Sequence, residues 1–249
     1  MTNYLIAIIL IYIYICITRN YDNYSLVPII YKTIDIFYKK RVGKRWCNIC
    51  NSNQIHGVFG KDLRPKTLCY SCNSLTRNQE MIKTIIETIS PKKHPNILYF
   101  AGNTHIKKCL ESKGYKVTLS RYHIKEERID MTNIKMNKKF DVVVSEHVME
   151  HITNDILAYK SVYNVLNKGG YYFVSFPINI NKEKTDETKR NIIGRIKNYG
   201  QHDHVRIYGT DVLDRIKDIG FYITLVSPKP FGNYDQYIKD NTFCLILKK

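Results

Sequence analysis

Residues 140–151 read FDVVVSEHVMEH, and the parsing of the whole chain follows from them. Asp141 to Ser145 encloses three consecutive valines, the mark of a short buried strand. The strand runs into Glu146, His147, Glu150 and His151, so its exit is polar. Beyond it, Ile156, Leu157, Tyr159, Val162, Tyr163 and Leu166 recur at helical spacing, and Gly169-Gly170 reads as the helix stop. Tyr171 to Phe176 is the next strand.

Working outward, the same alternation continues. Met81, Ile82, Ile85, Ile86 and Ile89 predict a helix ended by Pro91. Asn96 to Ala101 is a strand, Gly102-Asn103 a turn, His105 to Lys113 a helix stopped by Gly114, and Tyr115 to Leu119 a second strand. Val212, Leu213, Ile216 and Ile219 form a helix capped by Thr210 and ended by Gly220, followed by strands Phe221 to Val226 and Thr242 to Leu247. Lys182 to Arg195 is a charged insertion. Strands alternating with helices imply an α/β fold, a mostly parallel sheet with helices on both faces. Ligands of such sheets bind beyond the C-terminal strand ends, so the informative residues are those just after each strand.

The chain has 249 residues, 44% hydrophobic and 24% charged, which excludes global disorder and allows a core without disulfide staples. Its 39 Lys and Arg against 22 Asp and Glu leave a net charge of +17. That excess favours anionic neighbours, whether nucleic acid, an acidic membrane surface or a phosphorylated substrate, and does not choose among them.

Residues 1–18 carry no charged side chain, and Tyr4 to Cys16 is almost wholly apolar. As a helix this span reaches about 27 Å, near the low end of what a bilayer core requires. A signal peptide and a buried helix are the other readings; the absence of a basic start and of a small-residue cleavage site favours a transmembrane anchor over residues 1–19. Every Lys and Arg follows the span, so the positive-inside rule places the body in the cytosol and makes this a single-pass membrane protein. Residues 20–45 read as a basic juxtamembrane linker, with Leu26 to Tyr38 either along the interface or irregular.

Four of the seven cysteines form Cys47-x2-Cys50 and, after eighteen residues, Cys69-x2-Cys72. This is the spacing of a four-thiolate zinc ribbon over residues 46–75, with Zn2+ in a structural role. Two disulfides are the competing reading, and a cytosolic location argues against them. Arg64, Lys66 and Arg77 make nucleic acid a conceivable partner, a solvated basic face being the plainer account.

Three stretches then resemble the class I S-adenosylmethionine-dependent methyltransferases (type 11-like), and within them a branch with a zinc-ribbon-like start. They are Cys69 to Arg77 (CYSCNSLTR), Phe140 to His151 with Val165 to Gly170 (VLNKGG), and Gly200 to Gly209 (GQHDHVRIYG). The resemblance implies a Rossmann-like seven-stranded sheet over residues 76–249 whose last two strands are an antiparallel pair. It also implies S-adenosylmethionine contacts: the backbone of Gly102 and Asn103, Asp130 and Met131 at the adenine, and Ser145, Glu146 and His147 near the sulfonium and acceptor. The sequence departs from the pattern twice. The first loop, FAGNT, lacks Gly-x-Gly, and the second strand ends TLSRY, with no carboxylate for the ribose; Ser120, Glu126 or Glu127 would have to serve there.

Methyl transfer asks mainly for positioning, plus a base if the acceptor must lose a proton. Candidates are His147, His151, His202, Asp203 and His204, with Arg206 to hold an anionic group on the acceptor. His147 and His151 form a conceivable metal pair that lacks a third ligand in the sequence, and packing or capping is the plainer role for both and for Glu150. Two functions compete: a membrane-anchored methyltransferase of unknown acceptor, and an inactive methyltransferase-like module that binds nucleic acid or a protein partner.

Overall fold

The computed structural model describes residues 42–59, 64–122, 124–227 and 242–249. The expected anchor over residues 1–19 and the linker up to residue 41 lie outside the described residues. Among the described residues no helix is long and apolar enough to cross a membrane. The chain divides into two compact units, Met1–Gln79 and Glu80–Lys249.

The first unit is a three-stranded antiparallel sheet of β1 (Gly43–Cys47), β2 (Ser52–Phe59) and β3 (Arg64–Cys69) in the order β1-β2-β3. Two tight turns follow β1 and β3. In each, the residue after the second cysteine is an asparagine in the left-handed region, Asn51 at φ 53° and Asn73 at φ 55°. Asparagine tolerates that conformation better than other side-chain-bearing residues, which lets the turn curl back on its cysteines. Helix α1 (Thr76–Thr88) runs across the division and buries Met81, Ile82 and Ile85, the stripe its 3.6-residue period sets out.

The second unit holds β4 (Asn96–Phe100), α2 (Thr104–Glu111), β5 (Lys116–Ser120), β6 (Phe140–Glu146), α3 (Asp155–Val165), β7 (Leu166–Pro177), α4 (Ile192–Tyr199), α5 (Val212–Ile219), β8 (Tyr222–Ser227) and β9 (Thr242–Lys248). Its sheet has the order β5-β4-β6-β7-β9-β8. The first four strands are parallel, and β9 runs antiparallel to both β7 and β8. All six strands read from the sequence are present, including the antiparallel end. The seventh that the resemblance implies has no counterpart among the described residues: beyond β5, residues 121–122 and 124–139 hold turns, irregular backbone and one 3-10 turn at Lys125–Glu127.

Two helix boundaries differ from expectation. Gly169-Gly170 does not stop α3; both lie within β7, where Gly169 N–H donates to the Lys249 carbonyl and Lys249 N–H to that of Gly170. The helix ends because Leu166 turns extended while its N–H still bonds Val162. Position 170 is crowded, since a Cβ there would sit 2.9 Å from the Asn167 oxygen and 3.1 Å from that of Asp141. At α5 the N-cap is Asp211 rather than Thr210, and its carboxylate accepts from Thr185 instead of capping.

Between β7 and α5 the chain crosses the C-terminal end of the sheet as a strap. Isolated bridges join Ile178 to Tyr208 and Asp186 to Ile207, and Val205 N–H donates to the Glu150 carbonyl. A buried ion pair pins it. Arg206 lies 2.8 Å from Asp155 Oδ2, the first residue of α3, and donates to the Thr153 carbonyl at 2.8 Å. Tyr208 donates to the same Asp155 oxygen at 3.1 Å, and Glu187 stands 3.2 Å from Arg206. Arg206 is 3% exposed, so the role anticipated for it, gripping an anionic acceptor, is corrected: its charge is consumed inside the protein.

Removing one partner of such a pair strands a buried charge, which costs about 3–5 kcal/mol. Asp155→Ala is expected to lower the free energy of chemical unfolding by that amount, measured by urea titration followed by circular dichroism.

Candidate functional site

The strand order locates the site. The chain leaves β4 toward β5 on one side and returns to β6 on the other, so the direction of winding reverses between β4 and β6. A crevice opens outside the carboxyl ends of strands at such a switch point, because the connecting segments diverge. Here Phe100 and Ser145 are the last register partners. Just past them, each strand turns through a left-handed residue that is not glycine, Ala101 at φ 58° and His147 at φ 53°. Two such residues side by side at one rim are held strain, a feature concentrated at functional sites.

On the β4 side, Ala101 N–H donates to the Ser120 carbonyl, tying the turn to β5. Gly102 is buried, and a Cβ there would stand 2.8 Å from the Tyr99 ring and 3.0 Å from Leu119. The glycine therefore lets the loop close onto Tyr99. The Tyr99 hydroxyl donates to Glu146 Oε1 at the end of β6, spanning the switch point beneath the loop. Asn103 is the N-cap of α2, its side chain accepting from Ile106 N–H at 2.9 Å.

At the end of β5, Ser120 is buried and bonded both ways to the Ile129 backbone, at 3.1 Å and 3.4 Å. Glu127 forms a two-pronged pair with Arg121, which holds its carboxyl below the usual range. A carboxylate thus stands at the end of β5, but one delivered by a neighbouring turn and already neutralised. Asp130 is exposed, with Oδ1 accepting from the Thr132 N–H at 2.8 Å and the Thr132 hydroxyl at 2.7 Å. Met131 is buried in the main core cluster.

At the end of β6, Ser145 shares a 2.6 Å hydrogen bond with the Tyr172 hydroxyl, and Glu146 is buried. His147 N–H donates to the Ser175 carbonyl, and its Nδ1 lies 3.0 Å from Glu150 Oε1. His147 and His151 do not begin a regular helix; only a 3-10 turn, Met149–His151, separates β6 from α3. The strap brings its own histidines to this turn. His151 Nδ1 is 3.3 Å from Asp203 Oδ2, and the His151 and His204 rings meet edge to face at 4.7 Å. His202 Nδ1 is 4.0 Å from Asp203 Oδ1. Burial disfavours a charge on His204 and brings its pKa down to about 4. For Glu150, burial works the other way and is outweighed by His147, His151 and His204, so its pKa falls to about 2. The structure thus gathers His147, His202, Asp203 and His204 with Glu150 and His151, a cluster assembled from two stretches about fifty residues apart.

The first unit holds a separate donor set. All four turn cysteines are unbridged thiols. Cys47 and Cys72 Sγ are 3.6 Å apart, and Cys50 and Cys69 Sγ 3.9 Å. Sulfurs around a tetrahedral zinc at about 2.3 Å are about 3.8 Å apart, so the set fits such an ion. Thiol contacts from Cys69 and Cys72 hold Cys47 far below its ordinary pKa; the same contacts push Cys72 and Cys69 up, and burial pushes Cys50 up to about 12. A bound dication would let all four ionise. Ser74 lies 2.9 Å from Cys72 Sγ and accepts from Gln79, whose side chain also meets the buried His56 at 3.0 Å. These polar partners brace the sulfurs.

Residues 103–174 match the family model described as a methyltransferase domain, a span that runs from the α2 cap through β6 to the middle of β7. Among curated proteins none matches the sequence significantly. Among solved structures the [4+2]-cyclase SpnF is similar with a TM-score of 0.52 and 11% identity, over 78% of this chain and 87% of the cyclase. An S-adenosylmethionine-dependent methyltransferase from Mesorhizobium loti is similar at 0.49 and 12%, over 70% and 98%. The glycopeptide N-methyltransferase MtfA, solved with S-adenosylmethionine, is similar at 0.48 and 15%, over 68% and 92%. A cyclase on this fold shows that the fold alone does not name the reaction. The family match is more specific: residues 103–174, the span that crosses the switch point, are similar to a methyltransferase domain.

Proposed function

We propose that the crevice between the ends of β4 and β6 binds S-adenosylmethionine and presents its methyl group to an acceptor beneath the strap. The observation that carries this reading is the pair of left-handed turns at Ala101 and His147, at the winding reversal inside the matched span. In this reading the backbone at Gly102 and Asn103 approaches the cofactor and Asp130 accepts from the adenine amino group. Met131 backs the ring, Ser120 lines the ribose side, and Ser145 and Glu146 form the floor near the sulfonium. The cofactor supplies the methyl cation equivalent; the chain's task is alignment and, for an acceptor with a proton to lose, removal of that proton. We assign the latter to His147, a reading supported by Glu150, whose Oε1 meets its Nδ1 at 3.0 Å and orients the ring as a carboxylate orients the base of a catalytic pair. His202 and Asp203 stand on the partly exposed side of the cluster, where an acceptor would arrive, and buried His204 braces them from within.

Zinc in a structural role at Cys47, Cys50, Cys69 and Cys72 belongs to the same reading, supported by sulfur spacing and by the two matching turns. So does tethering to a membrane by residues 1–19 with the body on the cytosolic side, supported by the apolar run and the basic residues after it. The acceptor is left as a group small enough to pass beneath the strap.

Titration calorimetry of the full-length chain with S-adenosylmethionine or S-adenosylhomocysteine is expected to show one site. Asp130→Ala should weaken it about tenfold, the worth of one hydrogen bond to a charged group. Gly102→Leu should abolish it by forcing the loop off Tyr99. No heat at millimolar ligand would remove the reading. For the first unit, an organomercurial should release one equivalent of zinc as the four turn thiols react, with a change in the emission of Trp46, the sole tryptophan. Reaction of those thiols without zinc release would exclude the ion.

A further inference from the structure

We propose that Glu150, His151 and His204 form a second metal site, for a divalent transition ion of the zinc class held by nitrogen and oxygen. One donor atom from each lies within 4.8 Å of the other two. His204 Nε2 lies 4.0 Å from Glu150 Oε1. The three residues come from two places, the 3-10 turn after β6 and the strap after α4, which the Arg206–Asp155 pair holds together.

Three features of the surroundings point to a cation rather than to ordinary packing. First, the tautomers are set. His204 Nδ1 lies 2.8 Å from the Tyr199 carbonyl, which can only accept, so Nδ1 carries the proton and Nε2 the lone pair. Likewise the 3.3 Å contact of His151 Nδ1 with Asp203 places a proton there and the lone pair on Nε2. Second, atoms with lone pairs are buried without donors. Glu150 Oε2 and His204 Nε2 have no hydrogen-bond partner, in side chains 1% and 5% exposed. A buried carboxylate whose nearer oxygen, Oε1, lies 4.0 Å from an imidazole lone pair is repelled by it unless a positive charge stands between them. Third, each candidate ligand has the outer partner that metal ligands characteristically have. His204 leans on a backbone carbonyl, His151 on the Asp203 carboxylate, and Glu150 on His147, through Oε1 at 3.0 Å, which leaves Oε2 without a partner.

Donors bound at about 2.0–2.2 Å stand about 3.3–3.6 Å apart, so the three would close by roughly an ångström on binding. Two imidazoles and one carboxylate suit Zn2+, Co2+ or Fe2+ and leave a coordination position open.

The test uses the full-length chain stripped of metal and titrated with Zn2+ and Co2+. A nitrogen–oxygen site separates from a thiolate site by spectrum: thiolate binding gives intense near-ultraviolet charge transfer with Co2+, and the proposed site gives only weak visible bands. The expected result is an ion without the thiolate signature, and a zinc X-ray absorption spectrum that contains nitrogen or oxygen neighbours near 2.0 Å as well as any sulfur near 2.3 Å. Glu150→Gln and His204→Gln should each weaken that ion about a hundredfold, and Asp203→Asn about tenfold through His151. The spectrum of the unaltered chain decides the matter even if a variant fails to fold. An all-sulfur shell at saturating metal, or a nitrogen–oxygen ion bound equally well by folded Glu150→Gln and His204→Gln, would overturn the proposal.

Discussion

The contact on which the second unit depends is the ion pair between Arg206 and Asp155, closed off from water and shared with Tyr208 and Glu187. It joins the start of α3 to a segment more than fifty residues later. A buried pair of this kind contributes little net stability over an apolar substitute, because both charges must be dehydrated. What it contributes is register. Only one placement of the strap satisfies Arg206, and that placement sets His202 to His204 against the turn after β6.

The rim of the sheet is organised by a second constraint, the reversal of winding between β4 and β6. Parallel strands connected in opposite directions cannot cover the gap between their own ends. Ala101 and His147 turn away in the left-handed region, and Tyr99 reaches across below them to Glu146. The floor of the crevice therefore carries a buried polar contact, the Tyr99–Glu146 hydrogen bond. Such preorganisation is what a transfer reaction with little acid–base chemistry asks of its protein.

Much of this was legible in the chain. Each of the six strands announces itself by a short apolar run, and the helices by their stripe, because burial against a common sheet selects side chains at a fixed period. The paired cysteines were legible by spacing, since two intervening residues let a tight turn bring both sulfurs to one side. Other residues misled for physical reasons. Gly169-Gly170 looks like a helix stop but is a crowded strand site, where the want of a side chain serves packing and not turning. Arg206 looks like an anion clamp because burial leaves no local trace in sequence. Asn51 and Asn73 hold a subtler signal: each follows the second cysteine of a pair, the position where a left-handed turn residue closes the knuckle.

The sequence by itself determined the α/β alternation, the thiolate quartet and the span that reads as a methyltransferase domain, because each is written in neighbours along the chain. Only the tertiary structure decided that Glu150 and His151 meet His204, that Glu127 rather than Glu126 brings a carboxylate to the end of β5, and that Arg206 is paired internally. These are contacts between distant segments. Their energies depend on which water is excluded and which lone pairs are left facing one another, and that is settled only when the strap closes over the sheet.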